Sequence, residues 1–186
     1  MPDAFGHHHP NYDPAKLSET VCAANRWIDA GVRFYTGVPD ADSSPMWHAY
    51  WTRRLTVMRR AGIVVTSRRL RYRIEQIRLP DGATHDVPVQ REKGIDLRLG
   101  LDVVRMARIG DLDVAVIFSQ DQDLAEVARE VRDISRIRDL WLKVVSAFPY
   151  GPNASTNRGL DRTDWFRMDR EFYSFCLDPR DYRPRR

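Results

Sequence analysis

Cysteine and lysine are almost missing from this chain of 186 residues, which has two Cys (Cys22 and Cys176) and three Lys (Lys16, Lys93 and Lys143) against 27 Arg. Two cysteines so far apart make no disulfide framework. This excludes the small stapled folds of secreted mini-proteins and leads us to expect reduced thiols and a cytoplasmic setting. No apolar run approaches the ~20 residues that cross a bilayer, so no membrane span is expected. The opening "MPDAFGHHHPNYDP" lacks a basic segment followed by an apolar one, the pattern of a secretory signal. There is no internal repeat and no low-complexity linker. What is present is a globular composition, 42% hydrophobic and 30% charged. The length suits a single domain over residues 1–186, with 149–186 as a C-terminal extension packed on it.

The formal charge of +4 averages over two opposite regions. From Arg53 to Arg73 there are eight Arg and no acid, and from Glu92 to Asp123 there are seven acids. Two readings are open. One is a pair of solvated faces of opposite sign. The other is a surface that grips a polyanion through Arg beside carboxylates that hold the cations needed to make phosphate reactive.

Helices and strands alternate along the chain. Asp13-Pro14 caps a helix carrying Leu17, Val21, Ala24 and Ile28 inward, ended by Gly31. "VRFYTGV", 32–38, is a strand. Ser44-Pro45 opens a helix that runs to about Ala61. "IVVTSRRLRYR", 63–73, is a strand bent near Ser67, with Arg69, Arg71 and Arg73 on one face. Residues 79–90 read as a turn or loop around Pro80-Asp81-Gly82. A helix follows with Ile95, Leu99, Val103 and Met106 as its buried stripe. "LDVAVIFS", 112–119, and "LWLKVVSAF", 140–148, are apolar throughout, as buried parallel strands are, and a helix over 123–137 separates them. The tail adds a short strand at 165–167 and a short helix near 169–175. The fold class expected is α/β, with a mainly parallel sheet flanked by helices.

"SQDQD", 119–123, sets Asp121 and Asp123 directly past one of these strands. Ligands collect beyond the carboxyl ends of parallel strands. A helix N-terminus also favours negative charge, so a simple cap is the competing reading. Asp96, in the first turn of the preceding helix, could join the pair. Three such carboxylates would suit Mg²⁺ or Mn²⁺, which take hard oxygen ligands and keep waters.

The segment "REKGIDLRLGLDVVRMARIGDLDVAVIFSQDQDL", 91–124, resembles the core of the NYN domain family, which belongs to the PIN-like metal-dependent ribonucleases. The shared pattern is Lys93-Gly94-Ile95-Asp96 opening a helix, Asp102 six residues on, Ala107, and then Asp113 through Asp123. "NYDPAKL", "VRFYTGVP" and "RGLDRTDWFRMDREFY" are similar to one bacterial subgroup, so the likeness spans nearly the whole chain. It implies a Rossmann-like PIN fold and hydrolysis of RNA, single-stranded by expectation, by a metal-activated water. Asp96, Asp121 and Asp123 are then catalytic metal ligands. Asp102 is either a fourth ligand or the partner of an arginine. Arg91, Lys93, Arg69, Arg71 and Arg73 become candidates for RNA phosphate. A catalytically inactive RNA-binding or protein-interaction module of the same fold is the alternative, and a homo-oligomer is left open.

Members of the family begin with an apolar strand ending in Asp-Gly-x-Asn, which supplies a further metal-binding Asp. The first residues here resemble the stretch after that strand, and Asp3 has no apolar strand before it. The resemblance therefore implies an N-terminally shortened form in which two strands carry unpaired backbone groups, at ~1–3 kcal/mol for each one buried. His7, His8 and His9 read as a solvated loop, and Trp47 and Trp51 as core.

Overall fold

The computed structural model describes Phe5, Gly82 and residues 11–78, 84–154 and 156–184. In chain order its elements are α1 (Pro14–Asn25), β1 (Arg33–Val38), α2 (Pro45–Arg60), β2 (Val64–Arg69), β3 (Arg71–Arg78) and β4 (Thr84–Arg91). These are followed by α3 (Ile95–Ile109), β5 (Val114–Ile117), a 3₁₀ turn (Gln122–Leu124), α4 (Ala125–Arg138), β6 (Lys143–Pro149), β7 (Asp164–Met168) and α5 (Arg170–Phe175). The chain is mixed α/β, as expected. Its strands do not form one sheet. There are a parallel pair β1-β2, an antiparallel pair β3-β4 and a parallel triplet β5-β6-β7. Two compact units result, one of Met1–Val32 with Leu97–Arg180 and one of Arg33–Asp96 with Asp181–Arg186. No described helix is long and apolar enough to cross a membrane.

The first unit is built on β5-β6-β7. Its core joins Val103 and Ala107 of α3, Ala115 and Ile117 of β5, and Ala128, Val131 and Ile134 of α4. These α4 residues fall at helical spacing and close one apolar face over the strands. Helix α3 comes very near α4 at Gly100, where an added Cβ would lie 2.9 Å from Val127 Cγ2. Residues of the expected C-terminal extension are integral to this unit. β7 is the third strand of the sheet, Leu160 is fully buried in the core, and Met168 of β7 and Cys176, just past α5, pack with Leu17 of α1.

Helix α1 starts as expected. The Asp13 carboxylate accepts from the backbone N–H groups of Ala15 and Lys16. It ends early, at Asn25 rather than near Gly31. Arg26 adopts a left-handed φ of 59°, its N–H donates to the Ala23 carbonyl, and the Trp27 N–H donates to the Cys22 carbonyl. That paired closure satisfies the last carbonyls without glycine. Ile28, which continued the periodicity, lies outside the helix and is 94% exposed.

The second unit holds β1-α2-β2, a parallel pair in register from Arg33↔Val64 to Val38↔Arg69. The strand expected over 63–73 is two strands. β2 ends at Arg69, Leu70 breaks the run, and β3 starts at Arg71 with a new partner. Arg69 therefore does not share a strand face with Arg71 and Arg73. The loop expected over 79–90 is corrected for its second half, where Thr84–Arg91 is β4, paired antiparallel with β3 from Arg71↔Arg91 to Arg78↔Thr84. Pro88 disguised this strand, since proline removes a ladder donor. β4 tolerates it because β3 is its one partner among the described residues. Pro80 and Asp81, the expected turn, lie outside the described residues, as do Asp3 and His7–His9.

Ser146 of β6 ties the first unit's loops to its sheet. Its hydroxyl is fully buried, donates to the Ser119 carbonyl at 2.9 Å and accepts from the Leu160 N–H at 3.1 Å. Replacing it with alanine strands both backbone groups in the interior. Ser146→Ala should lower unfolding free energy by ~1–3 kcal/mol, measured by urea denaturation. A loss below a few tenths would mean that water replaces the hydroxyl.

Candidate functional site

The Asp-x-Asp segment of the first unit is held by its neighbours in sequence. β5 stops at Ile117, and the chain from Ser119 to Asp123 crosses the carboxyl end of the sheet. Gln120 donates from Nε2 to the carbonyls of Thr156 (3.0 Å) and Arg158 (2.9 Å). Gln122 donates from Nε2 to the Gly159 carbonyl (3.0 Å) and accepts the Asp161 N–H on Oε1 (3.1 Å). The two glutamines thus pin the segment to the 156–161 loop, and the aspartates alternating with them are exposed. Asp121 Oδ1 accepts the Asp123 N–H at 3.1 Å, so this carboxylate caps the 3₁₀ turn, as the competing reading held. That bond uses one Asp121 oxygen.

Asp102 sits on α3 in the same unit, only 4% exposed. Arg98, one helical turn earlier, grips both its oxygens, Nε at 3.1 Å and Nη2 at 2.9 Å. Of the two roles open to Asp102, the structure shows the arginine partner.

Asp96 belongs to the second unit, as do Glu92, Lys93 and Gly94. Gly94 has φ +80°, a conformation that side chains resist, and an added Cβ would lie 2.7 Å from Arg68 Nη1. The glycine therefore makes the turn that starts α3 and brings Asp96 into its first turn. Glu92 Oε2 accepts the Gly37 N–H of β1 at 3.3 Å. Glu92 and Asp96 are near enough to interact. Partial burial first, and then the Asp96 charge, hold the Glu92 carboxyl above its ordinary pKa of 4.5, against a smaller opposing effect of the Gly37 hydrogen bond. The sequence signal for Glu92 was its place just ahead of Lys-Gly-x-Asp, and sequence reasoning passed over it, as it did Gln120 and Gln122.

The cations expected to meet RNA are distributed as follows. Arg91 pairs with Glu75 at 2.5 Å, and Arg69 forms an ion pair with the buried Asp40. Arg71 and Arg73 are exposed on β3. Lys93 is exposed, and its backbone carbonyl accepts from Arg68 Nη1 at 3.5 Å.

The donors available are hard oxygens, the right kind for Mg²⁺ or Mn²⁺. Among the described residues no group of three or more His, Cys, Asp or Glu is gathered so as to hold a metal ion. The acids instead come as two pairs, Asp121 with Asp123 and Glu92 with Asp96.

Comparison with known proteins gives no match. No family model, no curated protein and no solved structure identifies a relative of the chain.

Glu92 offers a direct check on the chemistry of its own pair. Its folded pKa is raised, so protonation favours the fold. The stabilisation is present in full below the unfolded value of 4.5 and is lost as pH rises through the folded value. Glu92→Gln keeps an oxygen to accept from Gly37 and removes the repulsion. Its Tm should exceed that of the wild type at pH 7, and the gap should close below pH ~4.5. A lower Tm at pH 7 would show that the Glu92 charge is stabilising.

Proposed function

We propose that the chain is a divalent-metal-dependent ribonuclease of Rossmann-like PIN architecture, acting on single-stranded RNA in the cytoplasm. The observation that carries this reading is the Asp121–Asp123 pair. Two exposed carboxylates stand past the carboxyl end of a parallel strand, braced by two glutamines. Bracing one loop with four hydrogen bonds is more than a cap requires. Such support is what a site needs if its charged groups are to keep their geometry while solvent-facing. The parallel order of β5-β6-β7 and the β1-α2-β2 crossover suit the proposed architecture.

In this reading Asp121, whose second oxygen has no partner among the described residues, and Asp123 are the groups that would hold Mg²⁺ or Mn²⁺. In the second unit, Asp96 with Glu92 beside it is a separate carboxylate pair, taken by itself. Asp102 is left out, because Arg98 occupies it. A divalent ion so held supplies a water activated at neutral pH and charge for the developing phosphate oxyanion. The chain's own contributions are orientation and proton handling. Gln120 and Gln122 fix the aspartates, and Glu92 retains a proton to higher pH than an ordinary carboxyl. Arg71 and Arg73, exposed on β3, and Lys93 are free to meet backbone phosphates. Homo-oligomers remain compatible with this assignment.

A second reading, an inactive RNA-binding module, is favoured by one observation: among the described residues the acids occur in pairs rather than in a group of three. The two are separated by Asp121→Asn. Asparagine keeps an oxygen to accept the Asp123 N–H, so the turn survives while the charge is lost. In a fluorescent single-stranded RNA assay with millimolar Mn²⁺, the wild type should cleave. The variant should lose about 100-fold or more, beyond the ~10–100-fold usual for groups that only support a ligand. Millimolar Mn²⁺ should also raise the Tm of the wild type more than that of the variant. RNA binding with neither cleavage nor a metal-dependent Tm would establish the binding module instead.

A further inference from the structure

The second unit contains a cleft of about 430 Å³ that shares only Arg69 with the residues considered above for RNA phosphate. It lies at the carboxyl ends of β1 and β2, where a parallel pair gathers ligands. Its size falls within the ~300–1,000 Å³ range of small-molecule sites. One wall is a face of α2, His48, Thr52 and Arg59, and the other is the end of β2, Arg68 and Arg69. Val38 and Leu55 form part of its apolar lining.

The charges select the ligand. Arg59, Arg68 and Arg69 bring three positive charges to the cleft, and the Asp40 carboxylate offsets one through its ion pair with Arg69. Among the described residues, neither Arg59 nor Arg68 forms an ion pair. Two guanidinium charges are left over. A phosphate monoester, close to a dianion at neutral pH, matches that excess, whereas a phosphodiester carries a single charge. Guanidinium forks also suit phosphate geometry. The apolar lining gives an organic group a surface that inorganic phosphate would leave bare. His48 is already oriented. Its Nδ1 lies 2.9 Å from the Pro39 carbonyl, which can only accept, so Nδ1 carries the proton and Nε2 is left to face a ligand.

We propose that this cleft binds a terminal phosphate monoester joined to an apolar or aromatic group, of the size of a nucleoside 5′-monophosphate. The same chemistry is presented by a free nucleotide and by the 5′-phosphorylated end of an RNA strand. All the groups invoked lie in the second unit and need no divalent ion, so the proposal does not rest on the nuclease reading.

The test is calorimetric titration of the full chain in EDTA, which silences any metal-dependent cleavage. The probes are AMP, adenosine, inorganic phosphate, and one RNA oligomer with either a 5′-phosphate or a 5′-hydroxyl. AMP should bind more tightly than inorganic phosphate, and adenosine should not bind detectably. Arg59→Gln and Arg68→Gln should each weaken AMP about 10-fold or more, as loss of a charged hydrogen bond does. Arg53→Gln, on the same helix but outside the cleft, should change affinity less than about 2-fold. If the phosphorylated oligomer competes with AMP and its hydroxyl form does not, the site serves RNA ends. If neither oligomer competes, it serves free nucleotides. Absence of AMP binding, equal binding of adenosine, or an equal loss in Arg53→Gln overturns the proposal.

Discussion

Parallel pairing is the constraint on which both units depend. Two parallel strands cannot be joined by a tight turn, and each pair needs a crossover. Helix α2 supplies it between β1 and β2, and α4 between β5 and β6. A crossover helix must begin just past the carboxyl end of the strand before it. Polar chain therefore accumulates at that end in both units. After β5 it is the Ser119–Asp123 segment. After β1 it is Asp40, whose carboxylate accepts the Asp42 N–H and whose carbonyl accepts the Ser44 N–H on the way into α2. The acids at one exit and the acid-arginine pair at the other are products of the same topology. Function can act only on what that topology collects.

The sequence made the elements legible wherever a local rule governed them. Asp13 with Pro14 marked the start of α1, and the apolar runs marked β5 and β6, because capping and burial are written in neighbouring residues. It failed where the deciding partner was distant in the chain or chemically disguised. Leu70 does not announce that Arg69 and Arg71 will pair with different strands, since that depends on β1 and β4. The left-handed closure at Arg26 uses no glycine and was hidden for that reason. The candidate site was partly legible. Asp121 and Asp123 were found by their place after an apolar run. Their glutamine supports escaped, because the groups those side chains reach, the carbonyls of Thr156, Arg158 and Gly159, lie more than thirty residues away. The choice for Asp102 needed the observed Arg98 contact, because a helical carboxylate with an arginine four residues before it could equally have faced solvent.

The excess of arginine acquires a structural meaning in this setting. Arg98 reaches both oxygens of a buried carboxylate with one fork, and Arg132 and Arg170 donate to the backbone carbonyls of Arg162 and Phe5. Lysine lacks the planar fork that makes such contacts. Many arginines here are therefore structural ties rather than polyanion contacts. The basic stretch from Arg53 to Arg73 divides into arginines that already have partners, such as Arg69, and those exposed with no acid paired to them among the described residues, such as Arg59. Only the latter can exchange solvent for a ligand without breaking a native contact.

The alternation of glutamine and aspartate between residues 120 and 123 separates two properties that most loops confound. The ties to the neighbouring loop reside in the glutamines and the charge in the aspartates, of which Asp121 also caps the turn. Selection, or an engineer, could thus retune the electrostatics of this loop at Asp123, or at Asp121 with a residue that keeps the capping oxygen, while its scaffold persists. The even-numbered positions could be loosened without altering its charge at all.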